Sequence, residues 1–215
     1  MSPGQSNNGV STLGPPDADA VADAVTRRLD GLEEEPVRIA LIGFRATGKS
    51  TVGRILAGLL EFSFVDMDER LVAGFGESIE RYVKRCGWPA FRRAEAELLL
   101  ALRDRDRQVV AGGGGLVLAP ANRALLRRHF QVVWLDAGAA TVLDRLHRDP
   151  RTGAFRPALT DLAPDAEVEA LLREREPLYR QTAHLQVDTR HSDPDQLARR
   201  IHDWVRSEAA AGDRR

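Results

Sequence analysis

The chain has few lysines, a single cysteine and almost no net charge. Lys49 and Lys84 are the only lysines among its 215 residues. Cys86 is alone, which excludes an intramolecular disulfide and a cysteine-rich metal cage and fits a reducing compartment. The formal net charge of -1 gives no long-range field that could hold a polyanion. We therefore expect neither nucleic acid nor a membrane surface as a partner.

Long apolar runs and export signals are also missing. No stretch approaches the roughly 20 apolar residues that cross a bilayer. The N-terminus MSPGQSNNGVSTLGPP has neither the basic start nor the apolar core of a signal peptide. The apolar fraction of 43% and the charged fraction of 29% are typical of a soluble globular protein. These features predict a cytoplasmic protein, which we expect to be a monomer.

Composition divides the chain into four segments. Residues 1–16 are rich in Ser, Asn, Gly and Pro and predict a disordered tail. Residues 17–36 carry an apolar stripe at helical spacing, which predicts an amphipathic helix and a linker. That helix either packs on the domain, is a solvated leader, or docks a partner. Residues 37–207 form the main domain, and residues 208–215 a C-terminal tail.

Within the main domain, short β-rich apolar runs alternate with longer helical segments. This alternation predicts an α/β fold, a five-stranded parallel sheet with helices on both faces. The predicted strands are Val37–Ile42, Phe62–Val65, Gln108–Ala111, Gln131–Leu135 and His184–Asp188. The predicted helices are Lys49–Leu60, Ile79–Arg85, Phe91–Arg103, Ala121–His129, Ala139–His147, Ala166–Glu174 and Asp195–Glu208. Asp149 to Pro164 contains three prolines and no periodicity, which predicts a mobile, functional surface loop.

A phosphate-binding motif follows the first predicted strand directly. Gly43-Phe44-Arg45-Ala46-Thr47-Gly48-Lys49-Ser50 satisfies G-x-x-x-x-G-K-[ST] between a strand and a helix. Its glycines let backbone N–H groups point at phosphate oxygens, Lys49 adds positive charge, and Ser50 offers a hydroxyl to Mg²⁺. The motif predicts a nucleotide-phosphate site, but the same cradle serves switches, motors and small-molecule kinases.

Two carboxylates and a glycine run follow the next strands. Asp66 and Asp68 end the second strand and should open on the same sheet edge as the phosphate loop. One could face a metal and the other an acceptor hydroxyl; alternatively, both simply favour the start of the next helix through its dipole. Gly112–Gly115 ends the third strand, which indicates close backbone approach to a ligand rather than a flexible linker.

Together these motifs resemble the shikimate kinase family, a branch of the nucleoside-monophosphate-kinase-like P-loop fold, from Arg38 to about Val205. The resemblance rests on five motifs in order: Gly43–Thr51, Phe64–Asp68, Trp88–Glu95, the glycine run, and Arg175–Tyr179. It implies ATP-dependent phosphorylation of shikimate to shikimate 3-phosphate, with Mg²⁺ as the metal.

The resemblance also implies a role for each motif residue. Asp66 would hold Mg²⁺ with Ser50, while Asp68 would bind the acceptor hydroxyls and orient or accept the proton of the attacking one. Arg92 and Arg175 would bind the acceptor carboxylate, for which a guanidinium fork is well shaped. The remaining implied site residues are Gly43, Ala46, Thr47, Gly48, Lys49, Ser50, Thr51 and Arg145 for the nucleotide, Gly113, Gly114 and Gly115 for the acceptor, and Arg156 for catalysis in the lid.

Further expectations concern supporting residues and departures from the family pattern. Glu95 should fix Arg92 rather than touch substrate. Leu116 replaces a smaller residue, Gly112 a more usual Thr, and the lid carries extra residues before Arg156. These departures bear on the acceptor rather than on phosphoryl transfer. A kinase of another carboxylated or cyclic polyol, and a nucleotide-binding regulatory module of the same fold, are the alternatives.

Overall fold

A computed structural model describes residues 37–148 and 163–212. All of them lie in one compact unit that spans Pro36–Arg215. The predicted N-terminal tail and amphipathic helix lie outside the described residues, as does the predicted lid arginine Arg156. Within the described ranges, no helix is long and apolar enough to cross a membrane.

The elements alternate along the chain as the apolar runs indicated. The strands are β1 (Arg38–Ile42), β2 (Ser63–Asp66), β3 (Gln108–Ala111), β4 (Gln131–Asp136) and β5 (Leu185–Asp188). The helices are α1 (Lys49–Leu60), α2 (Met67–Phe75), α3 (Ile79–Leu102), α4 (Pro120–His129), α5 (Gly138–Arg148), α6 (Pro164–Thr182) and α7 (Pro194–Gly212). A 3₁₀ turn, Leu116–Leu118, follows the glycine run.

The five strands form one parallel sheet in the order β2-β3-β1-β4-β5. Alternate side chains of β1 point to opposite faces, as a strand requires. Ile39 and Leu41 pack with α1 and α7 in one core cluster, whereas Ala40 and Ile42 pack with α3, α4 and α6 in the other. The sheet therefore has helices on both faces, which confirms the predicted fold class.

The structure differs from the predicted elements in three helices. The helix α2 was not predicted, although Asp66 caps its start and Gly76 ends it with φ 67°. The predicted helices on either side of residue 87 are joined as α3, with Gly87 (φ 80°, ψ 161°) as a kink between them. The helix α6 continues past Pro177 to Thr182.

The order of the strands places the predicted motifs at one edge of the sheet. In a parallel sheet all strands end at the same edge, and ligands bind there at the switch point of the topology. The phosphate loop leaves β1 at this edge, the two aspartates follow β2, and the glycine run follows β3. Because β3 lies between β1 and β2, the glycine run is next to both other motifs.

Candidate active site

The conformation of the phosphate loop depends on its glycines and on a hydrogen bond within the loop. Gly43 has φ 140° and Gly48 φ 92°, and Ala46 is also left-handed at φ 62°. A Cβ on Gly43 would overlap the carbonyl oxygen of Leu135 on the adjacent β4. The buried Thr47 hydroxyl donates to the Phe44 carbonyl at 2.9 Å, which fixes the loop from inside.

The helix α1 starts at the phosphate loop without a side-chain cap. Gly48 is its N-cap residue and supplies no side-chain hydrogen bond to the first turn. The first N–H groups of a helix need partners, and an anion is a suitable one. Lys49 begins the helix, and its Nζ donates to the Phe44 carbonyl at 2.7 Å. Thr51 lies exposed on the same turn. The loop can therefore bind phosphate through N–H groups and one ammonium group.

Asp66 joins the phosphate loop to β2. Its Oδ2 accepts a hydrogen bond from the Ser50 hydroxyl at 2.5 Å. Its Oδ1 accepts from the backbone N–H groups of Asp68 at 3.0 Å and Glu69 at 3.3 Å, which caps α2. This carboxylate therefore caps α2 and also contacts the hydroxyl of the phosphate loop.

The Ser50 and Asp66 oxygens fit the requirements of a magnesium ion. Mg²⁺ binds oxygen ligands at about 2.1 Å in octahedral geometry, so that neighbouring ligands are about 3 Å apart. The two side-chain oxygens are 2.5 Å apart, so a small increase in this distance would give that spacing. Such a site would take its other oxygens from phosphate and water, as Mg²⁺ sites on phosphates usually do.

Asp68 and Glu95 meet at the glycine run. A Cβ on Gly113 would lie 2.6 Å from Glu95 Oε1 and 3.1 Å from Asp68 Oδ1, so only glycine leaves room for both carboxylates. Glu95 has only 2% of its surface exposed. Burial raises the pKa of Glu95, against the opposing effect of the neighbouring Arg92. At Gly113 the Asp68 carboxylate therefore lies next to Glu95, which in turn contacts Arg92.

Arg92 lies directly against Gly115. A Cβ at this glycine would overlap the Arg92 guanidinium. The guanidinium also bonds to the Glu95 carboxylate, as the sequence led us to expect. It stands over the rings of Trp88 and Phe91, with 5.2 and 5.5 Å from Cζ to the ring centroids. These contacts fix the orientation of a cation whose side chain remains 29% exposed.

Arg175 reaches the glycine run from the opposite side, on α6. It is 5% exposed, and its Nη1 donates to the Gly114 carbonyl at 3.3 Å. Tyr179, one turn later, donates to the same carbonyl at 2.6 Å. The Nε of Arg175 is buried and has no hydrogen-bond partner among the described residues. The structure thus brings together the two arginines that were predicted to bind a carboxylate.

A cleft between these elements is lined by three of the predicted acceptor residues. The cleft is narrow in this structure and is partly open to solvent. Its wall includes Arg92, Gly114, Arg175 and, in addition, Arg45 of the phosphate loop. Arg45 was not among the predicted site residues. It occupies a variable position of the motif, and nothing but its neighbours in the fold distinguishes it from other arginines.

Arg145 connects the phosphate loop with the loop that follows β5. Its Nη1 donates to the Ala46 carbonyl at 3.1 Å and to the Thr189 hydroxyl at 3.3 Å. Its Nη2 donates to the Thr189 carbonyl at 2.7 Å. Arg145, which was predicted to bind the nucleotide, therefore lies on α5 beside the phosphate loop.

The family model for shikimate kinase matches residues 45–206 of the chain. A shikimate kinase of Oleidesulfovibrio alaskensis is 50% identical over 151 residues, which cover 70% of this chain and 87% of that protein. One of Nitratidesulfovibrio vulgaris is 46% identical over 149 residues, covering 69% and 85%. A solved shikimate kinase of Acinetobacter baumannii, in complex with shikimate, has a TM-score of 0.74 and 33% identity, covering 81% of this chain and 96% of its own.

Proposed function

The chain belongs to the shikimate kinase family, and we propose that it transfers the γ-phosphoryl group of ATP to a ring hydroxyl of shikimate, giving shikimate 3-phosphate and ADP. One observation supports this acceptor above others. Arg92 and Arg175 line the same cleft, and the carboxylate of Asp68 lies at Gly113 next to Glu95, which contacts Arg92. Two guanidinium groups suit a carboxylate, and a carboxylate suits hydroxyl groups.

The transfer is an in-line displacement at phosphorus. The bond from the γ-phosphorus to the oxygen that leaves with ADP breaks as the bond to the acceptor oxygen forms. Asp68 orients the attacking hydroxyl and accepts its proton. Lys49 and the N–H groups of the phosphate loop stabilise the negative charge on the phosphoryl oxygens. Arg156, which the resemblance places in the lid, is expected to add a further positive charge in the transition state.

Ser50 and Asp66 would hold the magnesium ion, which supplies charge neutralisation on the phosphates. Arg145, beside Ala46, would lie against the adenine. We further propose that the protein acts as a cytoplasmic monomer on a small molecule, without nucleic acid or membrane. The balanced charge and the unpaired, exposed Cys86 support this proposal.

An ADP-release assay across a panel of acceptors tests the proposed function. The panel contains shikimate, quinate, gluconate and a nucleoside monophosphate, each with ATP and Mg²⁺. We expect turnover with shikimate and background with the others. Quinate and gluconate share its carboxylate but not its ring geometry, so their hydroxyl groups would be misplaced at Asp68, and a nucleoside monophosphate has no carboxylate for the two arginines. Turnover of another acceptor, with shikimate at background, would contradict the substrate and leave kinase activity standing.

The two lysines supply a matched pair of variants for the phosphate loop. Lys49→Ala removes the ammonium of the loop, whereas Lys84→Ala removes an exposed one that pairs with Glu80. We expect Lys49→Ala to lose almost all turnover and keep its unfolding midpoint, since Ala favours a helix start as well. Lys84→Ala should keep both. Turnover near the parental rate in Lys49→Ala would contradict the role of the loop.

A further inference from the structure

Arg45 is a third guanidinium in the cleft, and its position is set by tertiary contacts. Its backbone nitrogen lies 3.5 Å from the place of a Cβ on Gly114, so the phosphate loop and the glycine run touch at this residue. The Cζ atoms of Arg45 and Arg175 are 5.6 and 5.7 Å from the centroid of the Phe44 ring. The two cations therefore share one aromatic support.

The partners of Arg45 within the protein do not use all its donors. Its Nε is buried and has no hydrogen-bond partner among the described residues. Its Nη2 is 3.9 Å from Glu167 Oε2, which is an ion pair but too long for a hydrogen bond. Burial lowers the pKa of Arg45, Glu167 opposes that shift and Arg175 adds to it. A buried donor without an acceptor is costly, so this arrangement requires an explanation.

Glu167 is a counter-charge at the start of α6. Its side chain is 6% exposed and that of Arg45 is 20% exposed, so the pair is largely shielded from solvent. An ion pair at 3.9 Å orients the guanidinium by charge and leaves its N–H groups available to another acceptor of hydrogen bonds. The rest of the wall around Arg45 includes the proposed acceptor residues Arg92, Gly114 and Arg175 together with apolar side chains, and none of the proposed nucleotide residues.

We propose that Arg45 binds the carboxylate of the acceptor together with Arg175, and that Glu167 positions the Arg45 guanidinium for this contact. The inference deepens the proposed function and rests on it. It makes a variable position of the phosphate motif a determinant of acceptor specificity. Arg45 then contributes to acceptor affinity and leaves nucleotide affinity unchanged.

Isothermal titration of shikimate into the full chain tests this role without turnover. Arg45→Met keeps an unbranched side chain about as long as the apolar stem of arginine and removes the guanidinium charge. We expect its Kd for shikimate to rise about 10- to 100-fold, as the loss of a charged hydrogen bond predicts, with the Kd for ADP unchanged. Arg45→Lys keeps the positive charge but not the planar guanidinium, so its Kd for shikimate should rise less than that of Arg45→Met. Arg199→Met, at an exposed position of α7, is the control and should bind as the parent does.

The methyl ester of shikimate and Glu167→Gln separate ligand binding from a structural ion pair. The ester has no carboxylate charge, so Arg45→Met and the parent should bind it within about threefold of each other. Glu167→Gln should lose less affinity for shikimate than Arg45→Met does. Parental affinity for shikimate in Arg45→Met, an equal loss for the ester, or an equal loss in Glu167→Gln would overturn the inference. A parent that neither binds nor phosphorylates shikimate would instead refute the proposed function.

Discussion

Replacing Gly115 by alanine should displace the Arg92 guanidinium while leaving the backbone in place. Gly115 has φ −104° and ψ 2°, a conformation open to alanine. The added methyl group would instead overlap the end of the Arg92 side chain, which is flexible and can move. Arg92 would then leave both the Glu95 carboxylate and the proposed position of the acceptor carboxylate.

The contacts that are lost set the size of the effect. A carboxylate that loses its charged hydrogen bonds to one arginine loses about 2 to 4 kcal/mol of binding free energy. That loss corresponds to a rise of about 30- to 700-fold in the KM for shikimate. The folded state loses the bond to the buried Glu95, offset in part by the lower chain entropy of alanine in the unfolded state. A net loss of about 1 kcal/mol would lower the Tm by about 2 to 4 °C.

Steady-state kinetics with each substrate varied in turn measures this effect. The KM for ATP should stay at the parental value, because the three atoms nearest to the added methyl group all belong to Arg92. Gly74→Ala is the matched control, since no atom lies within 4 Å of a Cβ at that position. A folded Gly115→Ala protein whose KM for shikimate lies within about threefold of the parent would refute the proposed role of Arg92.

Two further predictions concern stability. His184 Nδ1 accepts the Val132 N–H at 3.0 Å, and burial lowers the pKa of His184 below its usual value of 6.5. Below pH 6.5 the unfolded chain therefore binds more protons at His184 than the folded protein does, so the Tm should fall as the pH drops from 6.5 to 5. The fall should be less steep in His184→Asn, and equal slopes in the two proteins would contradict this prediction. Gly53→Ala would place a Cβ 2.5 Å from the Phe64 ring and should cost about 1 to 3 kcal/mol in urea unfolding, whereas Gly58→Ala, with open space, should not.

The elements that sequence patterns predicted best are those with many buried apolar residues. The strand β3 and the helix α1 have the predicted bounds, because burial on one or both faces leaves a clear period in the sequence. The helix α2 was missed since only Met67 and Leu71 of its nine residues are buried. Its start and stop were nevertheless present in the sequence as Asp66 and Gly76, the residue types that cap a short helix.

Site residues that belong to a local motif could be predicted from the sequence, whereas those defined by long-range contacts could not. The phosphate loop is one continuous segment, so its residues could be named from their spacing alone. Arg45 could not be recognised, because it becomes a cleft residue only through Phe44, Arg175 and Glu167, and the last two lie on α6. In an arginine-rich chain, the sequence does not distinguish a guanidinium held in a cleft from one in solvent.

Gly112 and Leu116, the two residues after β3 that we expected to depart from the family pattern, lie against each other. A Cβ on Gly112 would lie 2.7 Å from Leu116 Cδ2, so the larger side chain occupies the space of the missing one. Gly112→Ala alone should overpack this site by about 1 to 3 kcal/mol, and Leu116→Ala alone should leave a cavity that costs about 2 to 5 kcal/mol. The double variant should be more stable than the sum of the two losses, by about 1 kcal/mol or more. Urea unfolding of the four proteins measures this coupling. Additive losses would show that the two positions are independent and would contradict the inference that Leu116 fills the space left by Gly112.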